Sequence, residues 1–137
     1  MCAEVIDGKA LAAEIYTELA QEVTSLKQAG RQPKLVVLLV GSHEASLSYV
    51  RAKKRIGATI GIEVLLEQFA EDVTEQVLLT RIKELNEAQS VDGILVQLPL
   101  PVHISVNKVI CAILPTKDVD GFHPLNVGRW MTGQEAF

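Results

Sequence analysis

Several classes of protein are excluded by what this chain lacks. Its two cysteines, Cys2 and Cys111, lie far apart without metal-type spacing, so neither a disulfide scaffold nor a cysteine zinc site is expected, and a reducing compartment is. The three histidines, His43, His103 and His123, are scattered, which argues against zinc. Basic residues are outnumbered 13 to 17 by acidic ones, giving a net charge of -4, so no nucleic-acid surface is expected. No apolar run approaches membrane-spanning length, and Met1-Cys2-Ala3-Glu4 lacks the basic start and apolar stretch of a signal peptide. A cytoplasmic, non-membrane protein is the expectation. Aromatic residues make up only 4% of the chain against 48% hydrophobic overall, so the core must be aliphatic. There is no Gly-x-Gly-x-x-Gly fingerprint, no phosphate loop and no nucleophile-elbow serine.

What is present reads as an α/β domain. The 137 residues suit one domain. Asp7 occupies an N-cap position, followed by Leu11, Ile15, Leu19, Val23 and Leu26 at helical spacing, with Gly30 as terminator. Lys34 to Gly41 is a continuous apolar run, the mark of a strand buried on both faces of a parallel sheet. A helix carrying Tyr49 and Lys53 follows and ends near Gly61. Ile62–Phe69 reads as a second strand. Asp72 or Thr74 opens a helix through Val77, Leu78, Ile82 and Leu85. Val91–Gln97 is a third strand, stopped by Leu98-Pro99-Leu100-Pro101. Ser105 or Asn107 starts a short helix that Pro115 ends. Thr116 to Phe137 is expected to be loop-rich, with one short strand around Val119 to Phe122. The alternation predicts a three-layer α/β/α domain with a parallel sheet of about four strands.

In such a sheet the C-terminal strand ends share one edge, and ligands bind there. Sequence order brings Tyr49 and Lys53, then Gln97, then Lys117 to Pro124 to that edge. Taken singly each has an ordinary explanation. A helix lysine is usually a surface charge, Tyr49 can simply pack, Gln97 can cap local backbone donors, and aspartate before glycine is standard turn chemistry. Asp118 and Asp120 alone make a weak case for a hard metal ion.

The segments taken together are more specific. Tyr49-Val50-x-x-Lys53 after a Val-Gly strand end, then Gly93-Ile-Leu-Val-Gln-Leu-Pro-Leu-Pro101, then Lys117-Asp-Val-Asp-Gly-Phe-His-Pro-x-Asn-x-Gly-Arg129, resembles the bifunctional methylenetetrahydrofolate dehydrogenase/methenyltetrahydrofolate cyclohydrolase family. The start Ile6-Asp7-Gly8-Lys9 is similar as well, and the likeness covers essentially all of residues 1–137. The resemblance implies a folate-binding catalytic domain whose partner half, a Rossmann-type domain that binds NADP, is absent from this chain. It implies a catalytic set of Tyr49, Lys53, Gln97 and Asp120. Tyr49 would stack on the folate rings, Lys53 would be the catalytic amine, Gln97 would hydrogen-bond Lys53, and Asp120 would accept from the pterin N–H edge. Substrate contacts would come from Tyr49, Val50, Arg51, Ala52 and Lys53, from Val96, Gln97, Leu98, Pro99 and Leu100 as an apolar wall, and from Asp120. Asp118 stays open between turn support and ligand contact. The implied substrates are tetrahydrofolate one-carbon derivatives, the implied longer protein is a homodimer, and this chain alone would be a monomer without dehydrogenase activity. The alternative is a non-catalytic folate-binding or protein-interaction domain of the same fold. The similar N-terminal domain of amino-acid dehydrogenases is disfavoured, because it lacks the Gln97–Pro101 and Asp118–Pro124 segments.

Overall fold

The computed structural model describes residues 5–136. Its elements are α1 (Gly8–Gln28), β1 (Lys34–Val40), α2 (Glu44–Ile60), β2 (Glu63–Phe69), α3 (Glu75–Glu87), β3 (Gly93–Val96), α4 (Val106–Ala112), a 3-10 turn (Pro115–Lys117) and α5 (Pro124–Met131). Local chemistry sets the helix starts. The Asp7 carboxylate accepts from the Lys9 and Ala10 N–H groups at 2.9 and 3.1 Å. Thr74 and Ser105, rather than Asp72 or Asn107, cap α3 and α4 in the same way. Gly61, at φ 90°, closes α2 in the left-handed region that favours glycine.

Among the described residues the sheet has three parallel strands in the order β2-β1-β3, one fewer than expected. The predicted fourth strand around Val119–Phe122 is reduced to a single parallel bridge between Ile94 and Asp118. A turn at Gly121, φ 68°, breaks the extended run at once. From β1 the chain moves one way to β2 and then back across to β3. Right-handed crossovers therefore place α2 and α3 on opposite faces.

That placement explains why β1 is apolar at every position from Val36 to Val40. Val36, Leu38 and Val40 point to the face covered by α3 and α4, where they meet Leu78, Ile82, Val109, Ile113 and the in-register Ile94 and Val96. Val37 points the other way, with Leu95, Val64 and Val50 of α2. The two-residue period of a strand divides one run between two cores.

Two expectations are corrected beyond the strand count. Over residues 116–136 the chain is not loop-rich, Phe137 lying outside the described residues: α5 forms with Pro124 in its first turn, and the His123 ring Nδ1 accepts from the Leu125 N–H at 3.1 Å. Pro115 does not end α4, which stops at Ala112; it opens the 3-10 turn. The apolar stripe of α1 is present but stays on the surface. Of its five positions only Val23 is buried, and Leu11, Ile15, Leu19 and Leu26 are exposed.

One surface pair ties the edge strand to its helix. Arg81 of α3 grips Glu67 of β2 with two hydrogen bonds, 2.8 and 2.7 Å. This holds the Glu67 carboxyl below its ordinary value near 4.5, against the opposing effect of burial. A carboxyl depressed on folding contributes stability that is present above the unfolded value and is lost as pH falls through the folded one. Arg81→Met is expected to cost about 0.5–1 kcal/mol at neutral pH, since the pair is partly solvated. The difference should close in acid. Urea midpoints of both proteins at neutral and acidic pH check this, and a gap that persists in acid would refute it.

Candidate active site

The strand ends deliver the polar groups to one rim. β1 finishes at Val40, and Gly41 (φ 79°) turns the chain toward α2. The turn is held by the Gly41 N–H on the Phe69 carbonyl, 2.9 Å, and by the Gln68 amide on the Gly41 carbonyl, 2.8 Å. One helical turn apart on α2, Tyr49 and Lys53 share a side. Tyr49 is 66% exposed, so its ring is free to receive a flat ligand, whereas Lys53 is half-buried.

Lys53 Nζ donates to Gln97 Oε1 at 3.3 Å, a contact spanning 44 residues of sequence. Gln97 is held at three points. Its backbone N–H donates to the Leu38 carbonyl at 2.8 Å, and its side-chain Nε2 donates to the Leu98 carbonyl at 2.9 Å. With the amide nitrogen used in this way, the oxygen is left to face the amine. The sheet thus orients the glutamine, and the glutamine orients the lysine.

Asp120 lies in the turn after the Ile94–Asp118 bridge, at the lip of the same rim. The residue is exposed overall, yet desolvation pushes its carboxyl above the ordinary aspartate value. The Lys53 charge pulls it down, and the Asp118 carboxylate pushes it up again. The Lys53 charge is therefore near enough to act on the Asp120 carboxyl.

Asp118 is a different kind of residue. Only 3% exposed, it accepts from the His123 N–H at 2.8 Å and from Asn126 Nδ2 at 3.0 Å. Asn126, 1% exposed, also donates to the Pro115 carbonyl at 2.8 Å, and its own Oδ1 is buried without a partner. Behind the turn, the Lys117 ammonium sits on the carbonyls of Leu85, Asn86 and Ala88 at 2.8–2.9 Å, capping the end of α3.

The expected apolar wall is split in two. Val96 and Leu98 line a hollow with Asp118, Asp120 and Phe122, while Pro99 and Leu100 line a separate groove of about 320 Å³ with Gly41, His43 and Glu71. The Leu98–Pro99 peptide bond is cis. Of the other residues expected at the site, Val50 packs inside, in the core between α2 and the sheet. Arg51 is exposed and Ala52 half-buried on the turns flanking Lys53. The structure thus joins Lys53 to Gln97, puts Tyr49 one turn before Lys53 on α2, sets Val96 and Leu98 beside Asp120, and leaves Val50 as packing. Asn126, like Ser46, is a buried polar residue to which the sequence by itself assigns no role. Its signal was present in the His-Pro-x-Asn run but needs the α5 fold to be read. Among the described residues no group of three or more His, Cys, Asp or Glu side chains is placed to hold a metal ion.

Known proteins resemble this chain in sequence and fold. Residues 6–120 match the model of the tetrahydrofolate dehydrogenase/cyclohydrolase catalytic domain. The chain is 54% identical over all of its residues to the bifunctional protein FolD of Anoxybacillus flavithermus and 50% identical to that of Bacillus subtilis, in each case covering 48% of the relative. Among solved structures, the bifunctional FolD methylenetetrahydrofolate dehydrogenase/cyclohydrolase of Campylobacter jejuni superposes with a TM-score of 0.94 at 45% identity, over 96% of this chain and 47% of that one. The Trypanosoma brucei methylenetetrahydrofolate dehydrogenase-cyclohydrolase, solved with NADP and an inhibitor, gives 0.90 at 36% identity, over 98% and 46%. The chain spans about half the length of the curated relatives it matches.

Proposed function

This chain belongs to the tetrahydrofolate dehydrogenase/cyclohydrolase family through its catalytic domain, and from that premise we propose that residues 1–137 form the folate half of an enzyme that oxidises 5,10-methylenetetrahydrofolate with NADP and hydrolyses the methenyl product to 10-formyltetrahydrofolate. The observation that carries the reading is the Lys53–Gln97 contact at 3.3 Å, with the Asp120 carboxyl close enough to feel the charge of the same amine. Tyr49 offers its exposed ring to the folate, and Asp120 accepts from the in-plane N–H donors of the pterin.

Hydrolysis then needs one proton moved twice. Water attacks the methenyl carbon, a C–O bond forms, and Lys53 takes the released proton. That proton passes to N5 as the bond between N5 and the carbon breaks. The formyl group remains on N10, and the hydroxyl proton leaves to solvent, so one proton is released overall. Gln97 keeps the amine aimed through both transfers, because its own amide is anchored to the backbone. NADP supplies the hydride acceptor in the longer protein. This sequence has neither a dinucleotide fingerprint nor a phosphate loop, so it offers no residues fitted to hold that cofactor, and the oxidation is not expected from this chain alone. Among the described residues no helix is long and apolar enough to cross a membrane. The same reading places the protein in the cytoplasm, with the longer form a homodimer and this chain a monomer.

Calorimetric titration with folic acid tests the site. Asp120→Ala is expected to weaken binding about 10- to 100-fold, as for a lost charge-assisted acceptor. Tyr49→Ala should cost up to about tenfold through lost stacking. Equal affinity in wild type and both variants would mean that the pterin is held elsewhere.

A further inference from the structure

We propose that Asp118 is a positioning residue for the folate site: its buried carboxylate, tied to the His123 N–H and to Asn126, holds the turn that presents Asp120 to the cleft. This rests on the reading of Asp120 as the pterin acceptor. Asp120 stands at the middle of a segment whose two ends Asp118 joins. The carboxylate belongs to the residue that bridges to Ile94 at the start, and it bonds the backbone of His123 at the close. Gly121 at φ 68° reverses the chain between them, with its N–H on the Asp118 carbonyl at 3.3 Å.

The clamp is built from both sides. Asn126 Nδ2 joins Asp118 to the Pro115 carbonyl, so α5 is fastened to the 3-10 turn through one side chain. Lys117 fastens that turn to the end of α3, and Asn86 ties it to α4 through the Ala112 carbonyl at 2.7 Å and the Leu114 N–H at 3.0 Å. A carboxylate 3% exposed, satisfied by neutral donors, is costly to bury. Serine or asparagine would form the same turn at lower cost. The charge has a second consequence at the site, because Asp118 raises the affinity of Asp120 for a proton. The charged groups that act on Asp120 are Lys53 of α2 and Asp118 itself. The His123 ring is turned away onto the Leu125 N–H.

The test is a double-mutant cycle read by folic acid binding to the 137-residue chain, with far-UV circular dichroism to confirm folding. Asp118→Ala is expected to weaken binding about tenfold, as an acceptor is removed from two buried donors. The loss should largely disappear when Asp120→Ala is already present. Asp118→Asn keeps an oxygen for both donors but removes the charge. It should retain wild-type affinity at neutral pH and shift the acid limb of binding to lower pH. Titration of the ligand itself is common to every arm. A loss in Asp118→Ala that is undiminished in the Asp120→Ala background would make Asp118 a general fold residue and overturn the proposal. So would wild-type binding by Asp118→Ala. Should the alanine variant not fold, Asn126→Ala, which removes one of the two donors to Asp118, is read in the same cycle, and wild-type binding by it overturns the proposal instead. If Asp120→Ala alone binds as wild type, the folate reading of Asp120 fails first, and this proposal fails with it.

Discussion

Lys53→Ala is expected to slow hydrolysis of 5,10-methenyltetrahydrofolate by this chain about 10²- to 10⁴-fold, the usual worth of a positioned general acid–base group, while folic acid still binds. Three features single out this amine. It is half-buried at the strand-end rim, its direction is set by Gln97, and its charge acts on the Asp120 carboxyl. The neighbouring cations Arg51, Lys54 and Arg55 are exposed on α2, and the hydrogen bond to Gln97 belongs to Lys53. Alanine is a strong helix former, so α2 should survive the change. Lys53→Arg should not rescue the rate, because a guanidinium stays protonated and cannot take a proton from water. The measurement is decay of the methenyl chromophore, corrected for the spontaneous reaction, beside a binding titration. An undiminished rate in Lys53→Ala would remove the amine from the mechanism. Absence of hydrolysis in the wild-type chain would favour a folate-binding domain without catalysis.

Leu38→Ala should destabilise the domain by about 3–5 kcal/mol, the upper range for emptying a fully enclosed leucine site. Leu38 lies at the centre of the middle strand, has no solvent exposure, and packs into the core shared by α3, α4 and β3. Strands on both sides and helices above leave little room for collapse into the cavity. Domains of this kind are stable by about 5–15 kcal/mol, so this one change removes a large part of the margin. Its backbone carbonyl also receives the Gln97 N–H, so loosening here should reach the lysine. Leu19→Ala on α1 is the contrast. Leu19 is 37% exposed, and the cost should be about 0.5–1 kcal/mol. Urea midpoints with unchanged slopes decide between them. Equal losses would mean that Leu38 is not where the stability resides.

Short-range signals narrow the helix starts: Asp7 is legible as a cap by itself, whereas Thr74 over Asp72 and Ser105 over Asn107 are decided by the structure. Asp7, Thr74 and Ser105 cap helices because a side-chain oxygen reaches a backbone N–H two or three residues on. The α5 helix was missed because eight residues interrupted by Gly128 carry too little periodicity to stand out. Its remaining marks were Pro124 in the first turn and Gly133, at φ 69°, beyond the end. Only Val119 and Phe122 favour a fourth strand; Asp120 and Gly121 between them do not, and the chain turns directly after the bridge at Asp118.

The candidate site divides in the same way. Tyr49 and Lys53 were legible as a pair, since a helix places residues four apart on one side. The family motifs in the sequence marked Gln97 and Asp120 as their companions. That Gln97 turns its amide oxygen rather than its nitrogen to the amine, and that Val50 turns inward, depend on contacts between segments far apart in the chain. The sequence alone determined the elements from α1 to α4, the order that sends three polar segments to one sheet edge, and the family. Only the tertiary structure decided that Asp118 is buried in a clamp while Asp120, two residues on, is open to the cleft. Both are aspartates in one short turn, and the difference between them comes from α5 and Asn126 packing over the first and leaving the second uncovered.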